Sequence, residues 1–179
     1  PVMMEDLSLH ILDIVENAVS AGATHVLVAV NENAARDVLT IRVTDNGRGM
    51  SREERARAFD PFFTTGRKRT GLGLPLLAHT AEACGGRVIL ETSPGRGTRV
   101  IARFRLGHVD RPPLTKMAGT LMTLFFGHPE VDFRYTHTHN GNRFSYLRIG
   151  RRGDAAVAPA ELAALREALW SGLARIGAG

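Results

Sequence analysis

The chain has 179 residues, of which 44% are hydrophobic and 23% are charged. This composition permits a packed core and excludes collagen-like, coiled-coil and disordered chains. No uncharged apolar run reaches the roughly 20 residues that a membrane helix needs, and no signal peptide is visible. Because Cys84 is the single cysteine, no internal disulfide can form, and we expect a cytoplasmic protein without a membrane partner.

The charge balance is basic, with 23 lysines and arginines against 18 acidic residues and a formal net charge of +5. Such a balance raises the question of a nucleic-acid partner. The arginines are dispersed along the chain, however, and form no basic run of the length of a binding tail. We therefore do not expect specific nucleic-acid binding.

The first part of the chain alternates helical and strand patterns. Apolar residues at three-and-four spacing indicate the first helix, and period-two alternation indicates the strands. Ser51 followed by Glu54 is typical of a capping box, and proline and glycine bound the third helix. In chain order the predicted elements are a helix over 5–21, strands over 25–30 and 38–44, a short helix over 51–58, a helix from Pro75 to Gly85, and strands over 87–92 and 98–106.

This order of elements predicts an α+β fold. We expect a two-layer α/β sandwich, in which helices cover one face of a mixed, mostly antiparallel sheet. Residues 107–113 interrupt the pattern, so we divide the chain into a domain over 1–106 and a small α/β extension over 107–179. In the extension the patterns predict a helix over 114–126, a hairpin of strands 131–137 and 143–149, and a helix over 159–176.

The place of the extension in the fold is open at this stage. It is either an independent subdomain or a continuation of the first sheet, and we expect a partner-docking or dimerisation unit. His137 and His139 alternate on one of its strands. Because the usual zinc spacing is absent, a half-exposed strand face is favoured over a metal site. Leu162, Leu165, Leu169 and Trp170 recur with helical spacing and predict core positions.

Three patterns of polar and glycine residues could carry chemistry. His10, Asp13 and Asn17 fall on one side of the first helix, where a solvated face would also explain them. Residues 45–50 place a carboxylate and two glycines directly after a strand, where a backbone can approach a ligand closely. Residues 70–75 precede a helix, whose free amides and dipole suit phosphate. None of these is specific alone, because the P-loop and dinucleotide patterns are absent.

In order along the chain, these motifs resemble the nucleotide-binding boxes of the gyrase, heat-shock chaperone, histidine-kinase and MutL superfamily of ATPases. The boxes are residues 13–18, 45–49, 60–65 and 71–74, closed by Gly97 and Thr98. The resemblance covers roughly residues 5–106. It implies the histidine-kinase type of ATP-binding fold, with ATP and Mg²⁺ as cofactors.

The resemblance also implies roles for individual residues. Asn17 would ligate Mg²⁺ through its side-chain oxygen, and Asp45 would read adenine by accepting from its amino group. The residues that would line the base pocket or support Asp45 are Gly47, Gly49, Met50 and Thr98. The residues that would contact the phosphates as a lid are Lys68, Gly71, Leu72, Gly73 and Leu74, with Arg67 or Arg69 as alternatives to the lysine.

A general base is implied four residues before the magnesium asparagine, at Asp13. Hydrolytic members of the superfamily usually carry glutamate there, and kinase-type members usually carry asparagine. Asp13 could polarise a water, although it is one methylene shorter than glutamate. Glu16 is the rival, but it sits about 60 degrees away from Asp13 around the helix.

The motifs at 61–65 and 70–75 resemble those of sensor histidine kinases, whereas residues 15–23 resemble the corresponding helix of MutL. Because only about six residues precede the first box, we expect a free-standing module without a phosphoacceptor. The expected function is that of an ATP-dependent protein kinase or slow ATPase with a regulatory role, acting on or through a partner protein, and a homodimer is compatible with it. The alternatives are a nucleotide-sensing interaction module without turnover and a MutL-like DNA-linked ATPase.

Overall fold

The computed structural model describes residues 6–61, 72–151 and 158–178. Its elements follow the predicted order, with ends displaced by a few residues: α3 begins two residues earlier than predicted and α4 three residues later. The helices are α1 (Leu7–Ser20), α2 (Arg52–Arg57), α3 (Gly73–Ala83), α4 (Met117–Gly127) and α5 (Pro159–Ile176). The strands are β1 (His25–Asn33), β2 (Val38–Asp45), β3 (Arg87–Thr92), β4 (Thr98–Arg105), β5 (Asp132–His139) and β6 (Asn142–Arg148).

The strands form one open, six-stranded sheet in the order β3-β4-β2-β1-β5-β6. Only β1 and β5 run parallel, and the other neighbours are antiparallel. This confirms the mixed, mostly antiparallel sheet. The hairpin β5–β6 is joined edge to edge with β1, so residues after 107 continue the sheet that the earlier residues begin.

The long helices form a single layer on one face of this sheet. α3 packs on α1, α1 on α4, and α4 on α5, in the same lateral order as the strands beneath them. Every strand alternates, and its buried side chains point towards the helices. Along β1, for example, Val26, Val28 and Val30 are buried while their neighbours are not. The predicted two-layer α+β arrangement is confirmed.

Polar side chains fix the starts of two helices. Asp6 is the N-cap of α1: its carboxylate accepts from the Ser8 amide at 2.9 Å and from the amide and hydroxyl of Thr115 at 2.9 Å. Burial would raise the pKa of Asp6, but these hydrogen bonds together outweigh it and lower the pKa. Ser51 and Glu54 form the predicted capping box at the start of α2.

The extension builds its core from aromatic side chains of α4, β5 and β6. Phe125 lies 5.2 Å from Phe133 and 5.9 Å from Tyr146, measured between ring centroids. Leu169 of α5 is fully buried, as predicted. The prediction was wrong for Leu162 and Trp170, which are 42% and 45% exposed, because only one stripe of α5 meets the layer.

His137 is also placed differently from the expectation. It is only 1% exposed and faces the helix layer, so the half-exposed strand face was wrong for this residue. Its ring bonds the Tyr135 hydroxyl at 2.8 Å and the Glu32 carboxylate at 2.7 Å, and His139 lies 3.4 Å from the same carboxylate. The side chain therefore satisfies both ring nitrogens inside the fold. Among the described helices, none is long and apolar enough to cross a membrane.

Candidate nucleotide-binding site

Several predicted site residues converge at one end of the sheet, where α1 ends, α3 begins and β2 and β4 meet. The start of α3 lies directly against α1. A Cβ placed on Gly73 would lie 3.3 Å from Asp13 Cβ and 3.7 Å from Asn17 Nδ2. The fold thus brings the first and third predicted motifs into contact, although more than fifty residues separate them in the sequence.

Asp45 is held at the end of β2 by backbone hydrogen bonds. Its Oδ1 accepts from the amide of Gly47 at 2.8 Å and from the amide of Thr98 at 3.3 Å. In the described part of the chain, no group donates to Oδ2. The carboxylate is therefore oriented through one oxygen and keeps the other available to accept from a ligand.

Close backbone packing explains two glycines around Asp45. Both lie in the left-handed region, with φ near +68° at Gly49 and +72° at Gly97. A Cβ on Gly97 would meet the Asp45 carbonyl oxygen at 2.0 Å, and one on Gly49 would meet the Ser93 carbonyl oxygen at 2.0 Å. Any side chain at either position would force the loops after β2 and β3 apart.

Thr92, at the end of β3, is a site residue that the sequence analysis missed. Its hydroxyl accepts from the Met50 amide at 3.0 Å, donates to the Gly97 carbonyl at 2.9 Å and lies 3.0 Å from the Thr98 hydroxyl. It therefore ties the loop after β2 to the start of β4. The available signal was its register, because Thr92 stands directly opposite Thr98 across a hairpin.

Burial changes the acidity of Asp45. Removal of water from around the carboxylate raises its pKa above the ordinary value, and the two amide hydrogen bonds from Gly47 and Thr98 oppose this rise. A partly desolvated carboxylate forms stronger hydrogen bonds than one in water. Asp45 therefore has the environment of a ligand-reading group rather than of a solvated turn residue.

The start of α3 has no side-chain cap. Leu72 occupies the N-cap position, and its side chain offers no acceptor to the first amides of the helix. These amides lie beside Asp13 and Asn17. An uncapped helix start with its positive dipole end is a suitable site for phosphate oxygens. Leu72 is exposed and Leu74 packs on the edge of the core.

His10 shares the side of α1 that faces α3. It is 1% exposed, and its Nε2 lies 3.5 Å from the Thr80 hydroxyl, while Nδ1 has no hydrogen-bond partner. Burial lowers the pKa of His10 to about 4, so the ring is neutral at pH 7. The polar stripe of α1 is therefore packed against α3 at this position, and a solvated face does not explain it.

The two candidate bases, about 60 degrees apart around α1, contact different neighbouring helices. Asp13 is half-buried beneath the start of α3. Glu16 instead bonds the His128 ring at 2.8 Å, at the end of α4. This separation agrees with the angular argument that distinguished Asp13 from Glu16.

The donor set around Asn17 fits a magnesium ion bound mainly through water and phosphate. The Asn17 side chain is exposed and lies next to Gly73 and within one helical turn of the Asp13 carboxylate. In the described ranges no group of three or more histidine, cysteine, aspartate or glutamate side chains forms a metal cluster. Mg²⁺ in nucleotide sites needs only one or two protein oxygens, because waters and phosphates complete its shell.

The remaining predicted lid residues, Lys68 and Gly71, lie outside the described residues, as do the alternative cations Arg67 and Arg69. The described part of the candidate site therefore consists of the surroundings of Asp45 and the start of α3. A shallow cavity of about 250 Å³ opens at the strand ends beside Asp45, Thr92 and Thr98.

Comparison with known proteins agrees with this geometry. A sequence model of the family described as histidine kinase-, DNA gyrase B- and HSP90-like ATPase matches residues 5–108. The chain belongs to this family. Membership of this family implies that the domain binds ATP.

The relatives include sensor histidine kinases. Identity is 41% over 103 residues to PrrB of Mycobacterium leprae, covering 55% of this chain and 22% of that protein. It is 42% over 88 residues to FleS of Pseudomonas aeruginosa and 31% over 88 residues to ZraS of Escherichia coli K12, each covering 49% of this chain. These matches cover 22% of FleS and 19% of ZraS, so this chain spans about a fifth of the length of such kinases.

Two solved structures share the fold over nearly the whole chain. The N-terminal domain of a DNA repair protein matches with a TM-score of 0.59 and 13% identity, covering 96% of this chain and 59% of that one. The Aquifex aeolicus MutL ATPase domain, complexed with ADP, matches with a TM-score of 0.54 and 17% identity, covering 94% and 70%. The fold likeness therefore includes residues after 108, where the match to the family model ends.

Proposed function

We propose that this chain binds Mg²⁺-ATP at the end of β2 and uses it to phosphorylate a partner protein, or to hydrolyse ATP slowly, in a regulatory role. The observation that carries the proposal is the contact of Gly73 with Asp13 and Asn17, at the same end of the sheet as Asp45. Base reading and phosphate binding need these two groups of residues to lie at the same end of the sheet, and their arrangement supports the proposal.

At the base-reading half, Asp45 would accept from the adenine amino group through Oδ2. Its Oδ1 is occupied by the amides of Gly47 and Thr98, which keeps the carboxylate from rotating. Gly49 and Met50 would line the pocket, since the backbone of this loop is tied down through Thr92. Adenine specificity would follow, because guanine presents an acceptor where adenine presents a donor.

At the phosphate half, the uncapped amides at the start of α3 would bind phosphate oxygens. Asn17 would hold the metal through its side-chain oxygen, and Lys68 and Gly71 would complete the lid. When bound, Mg²⁺ supplies charge neutralisation on the phosphates, which phosphoryl transfer requires. The adjacent helix start would orient the terminal phosphate towards Asp13.

Asp13 would act as the general base, by orienting a water or an acceptor hydroxyl and taking its proton. Its position beneath the start of α3 supports this role, whereas Glu16 is engaged with His128 at the end of α4. Geometry decides the rate of such a step, since a misplacement of about 1 Å can cost on the order of a hundredfold.

The alternative is a nucleotide-sensing module that changes its contacts with a partner and does not turn ATP over. The short side chain of Asp13 favours it, because aspartate reaches one methylene less far than glutamate into the space before α3. In that case the chain would still bind Mg²⁺-ATP, and the partner would respond to the bound state alone.

Calorimetry with a nonhydrolysable ATP analogue tests binding. We expect saturable binding that weakens when Mg²⁺ is removed with a chelator, because the metal links Asn17 to the phosphates. A variant that tests the proposed metal ligand is Asn17→Asp, which keeps the size of the side chain while replacing its neutral amide with a charged carboxylate. Folded wild-type protein that shows no heat of binding would overturn the ATP assignment.

A single-turnover assay with ³²P-labelled ATP separates enzyme from sensor. We compare the wild type with Asp13→Asn and with the matched control Glu16→Gln, which makes the same chemical change at a carboxylate that contacts α4 and not α3. For an enzyme, Asp13→Asn loses phosphate release or transfer and Glu16→Gln keeps it, while all three proteins bind the analogue. Equal, near-background release from all three supports the sensor.

A further inference from the structure

The face of the sheet opposite the helix layer concentrates exposed arginines. The dispersed arginines of the sequence gather here, because alternate residues of β2, β3, β4, β5 and β6 point to the same side of the sheet. None of the described strands contains a lysine. We call the following exposed residues the arginine face: Arg42, Arg87, Arg99, Arg103, Arg134 and Arg143.

Only part of this charge is neutralised within the fold. Arg99 pairs with Glu91 at 3.0 Å, and Arg105, at the end of the same strand, pairs with Asp37 at 2.6 Å. Across the described residues, none of the other arginines of the face has a carboxylate within ion-pair distance. A surface that served solubility alone would intersperse charges of both signs.

Two of the unpaired arginines stand directly against each other. Arg87 of β3 is opposite Arg103 of β4 in the strand register. Like charges opposite one another destabilise a strand pair, by an amount comparable to what a favourable pair contributes. A carboxylate placed between the two guanidinium groups would remove this repulsion and accept hydrogen bonds from both.

An apolar pair occupies the middle of this part of the face. Ile89 stands opposite Ile101, and Ile101 stands opposite Arg42 on the next strand. Both isoleucines are only half-buried. An aliphatic centre surrounded by arginines has the composition of a protein-binding surface, in which apolar residues and arginine are enriched and lysine is depleted.

We propose that the arginine face docks an acidic segment of a partner protein. Carboxylates of the segment would pair with Arg42, Arg87 and Arg103, and an aliphatic side chain of the segment would pack on Ile89 and Ile101. The planar guanidinium fork matches a carboxylate in two hydrogen bonds, which gives this surface a preference for carboxylates that scattered lysines would lack.

The same observations favour an acidic protein over the other occupants. A second copy of this chain would bring arginine against arginine in a two-fold contact. Single-stranded nucleic acid uses aromatic side chains to stack its bases, and the strands place none of their aromatics on this face, since Phe104, Phe133, Tyr135 and Phe144 are buried on the helix side.

The test measures fluorescence anisotropy of a labelled peptide built from repeated Glu-Glu-Leu units, at low salt of about 50 mM. The compared proteins are the wild type, Arg42→Glu/Arg103→Glu, and the control Arg52→Glu/Arg166→Glu, which makes the same charge change on α2 and α5. We expect the wild type to bind and the first variant to bind at least about tenfold more weakly, while the control loses no more than about threefold. Amide chemical shifts should change along β2, β3 and β4 when the peptide is added.

Binding of the ATP analogue and the thermal midpoint verify that each variant is folded. Arg42→Gln/Arg103→Gln replaces the first variant if the glutamates prevent folding. Three results overturn the proposal: no peptide binding by the folded wild type, equal losses in the face variant and the control, or tighter binding of a labelled DNA duplex with the same dependence on Arg42 and Arg103. Because the isoleucines also contribute, a Glu-Glu-Ser peptide should bind more weakly than Glu-Glu-Leu.

Discussion

Replacing Asp45 with asparagine isolates one hydrogen bond of the nucleotide site. An asparagine in the same orientation keeps Oδ1, and with it the bonds from the Gly47 and Thr98 amides. It changes only Oδ2 into an amino group, which donates instead of accepting. The substitution therefore reverses the polarity of the atom that we expect to read adenine, and it leaves the support of that atom in place.

The magnitude follows from what is lost at that atom. A hydrogen bond to a charged group contributes about 1.5–3 kcal/mol, which corresponds to about 10- to 150-fold in affinity for ATP. Two amino groups would also face one another in the variant. Stability should hardly change, because burial disfavours the ionised form of Asp45 and raises its pKa, and the amide carries no charge to desolvate.

The assay is calorimetry with nonhydrolysable analogues of ATP and GTP in the presence of Mg²⁺. We expect Asp45→Asn to lower the affinity for the ATP analogue by about a hundredfold. The preference for ATP over GTP should also become smaller, because the new amino group can donate to guanine O6. Asp110→Asn is the matched control: it makes the same change at an exposed carboxylate far along the chain and should leave both affinities unaltered.

One result would refute the assignment of Asp45. If the variant unfolds cooperatively like the wild type and binds the ATP analogue with the same affinity, then Asp45 does not contact the base. An equal loss for both nucleotides would indicate a general disturbance of the loop after β2, and would also contradict the reversal of polarity.

Three further predictions concern the residues that support this site. Burial lowers the pKa of His10 from 6.5 to about 4, so the unfolded chain binds the proton more readily. Stability is then complete above pH 6.5 and falls as the pH drops towards 4, and between pH 7 and 5 the wild type should lose about 2 kcal/mol more than His10→Leu in urea unfolding. Identical pH slopes would contradict the buried neutral ring. Gly97→Ala should lower the free energy of unfolding by about 1–3 kcal/mol and weaken ATP binding, because its Cβ would lie 2.0 Å from the Asp45 carbonyl oxygen. Calorimetry that shows normal affinity for ATP would disprove this contact. Thr92→Val should lower the free energy of unfolding by about 1–2 kcal/mol, since it leaves the Met50 amide without its acceptor. A thermal midpoint equal to that of the wild type would show that this hydrogen bond does not stabilise the fold.

Much of the fold was predictable because it depends on local patterns. The periodicity of apolar residues identified the helices and strands, and α5 begins at Pro159 and ends at Ile176 as predicted. Ser51 and Glu54 predicted their capping box for the same reason, since its hydrogen bonds span three residues. The start of α3 was misplaced by two residues, and it lies at Gly73, where the helix packs against Asp13 and Asn17 of α1.

The site was predictable in its residues and less so in its connections. Asp45 with Gly47 lies within one short motif, so its local hydrogen bond follows from the turn. Thr92 escaped notice because its importance comes from three partners in two distant segments, the loop after β2 and the start of β4. His10 could not be told from a surface residue, because burial on its side of α1 depends on α3 packing there.

The sequence by itself determined the order and type of the elements and the motifs of an ATP site. Only the tertiary structure decided that β5 pairs in parallel with β1, that Gly73 meets Asp13, and that dispersed arginines gather on one face. The physical reason is the range of the interactions. A residue's local pattern selects helix or strand, whereas pairing across a hundred residues depends on which strand edges and apolar faces become adjacent when the whole sheet buries its core.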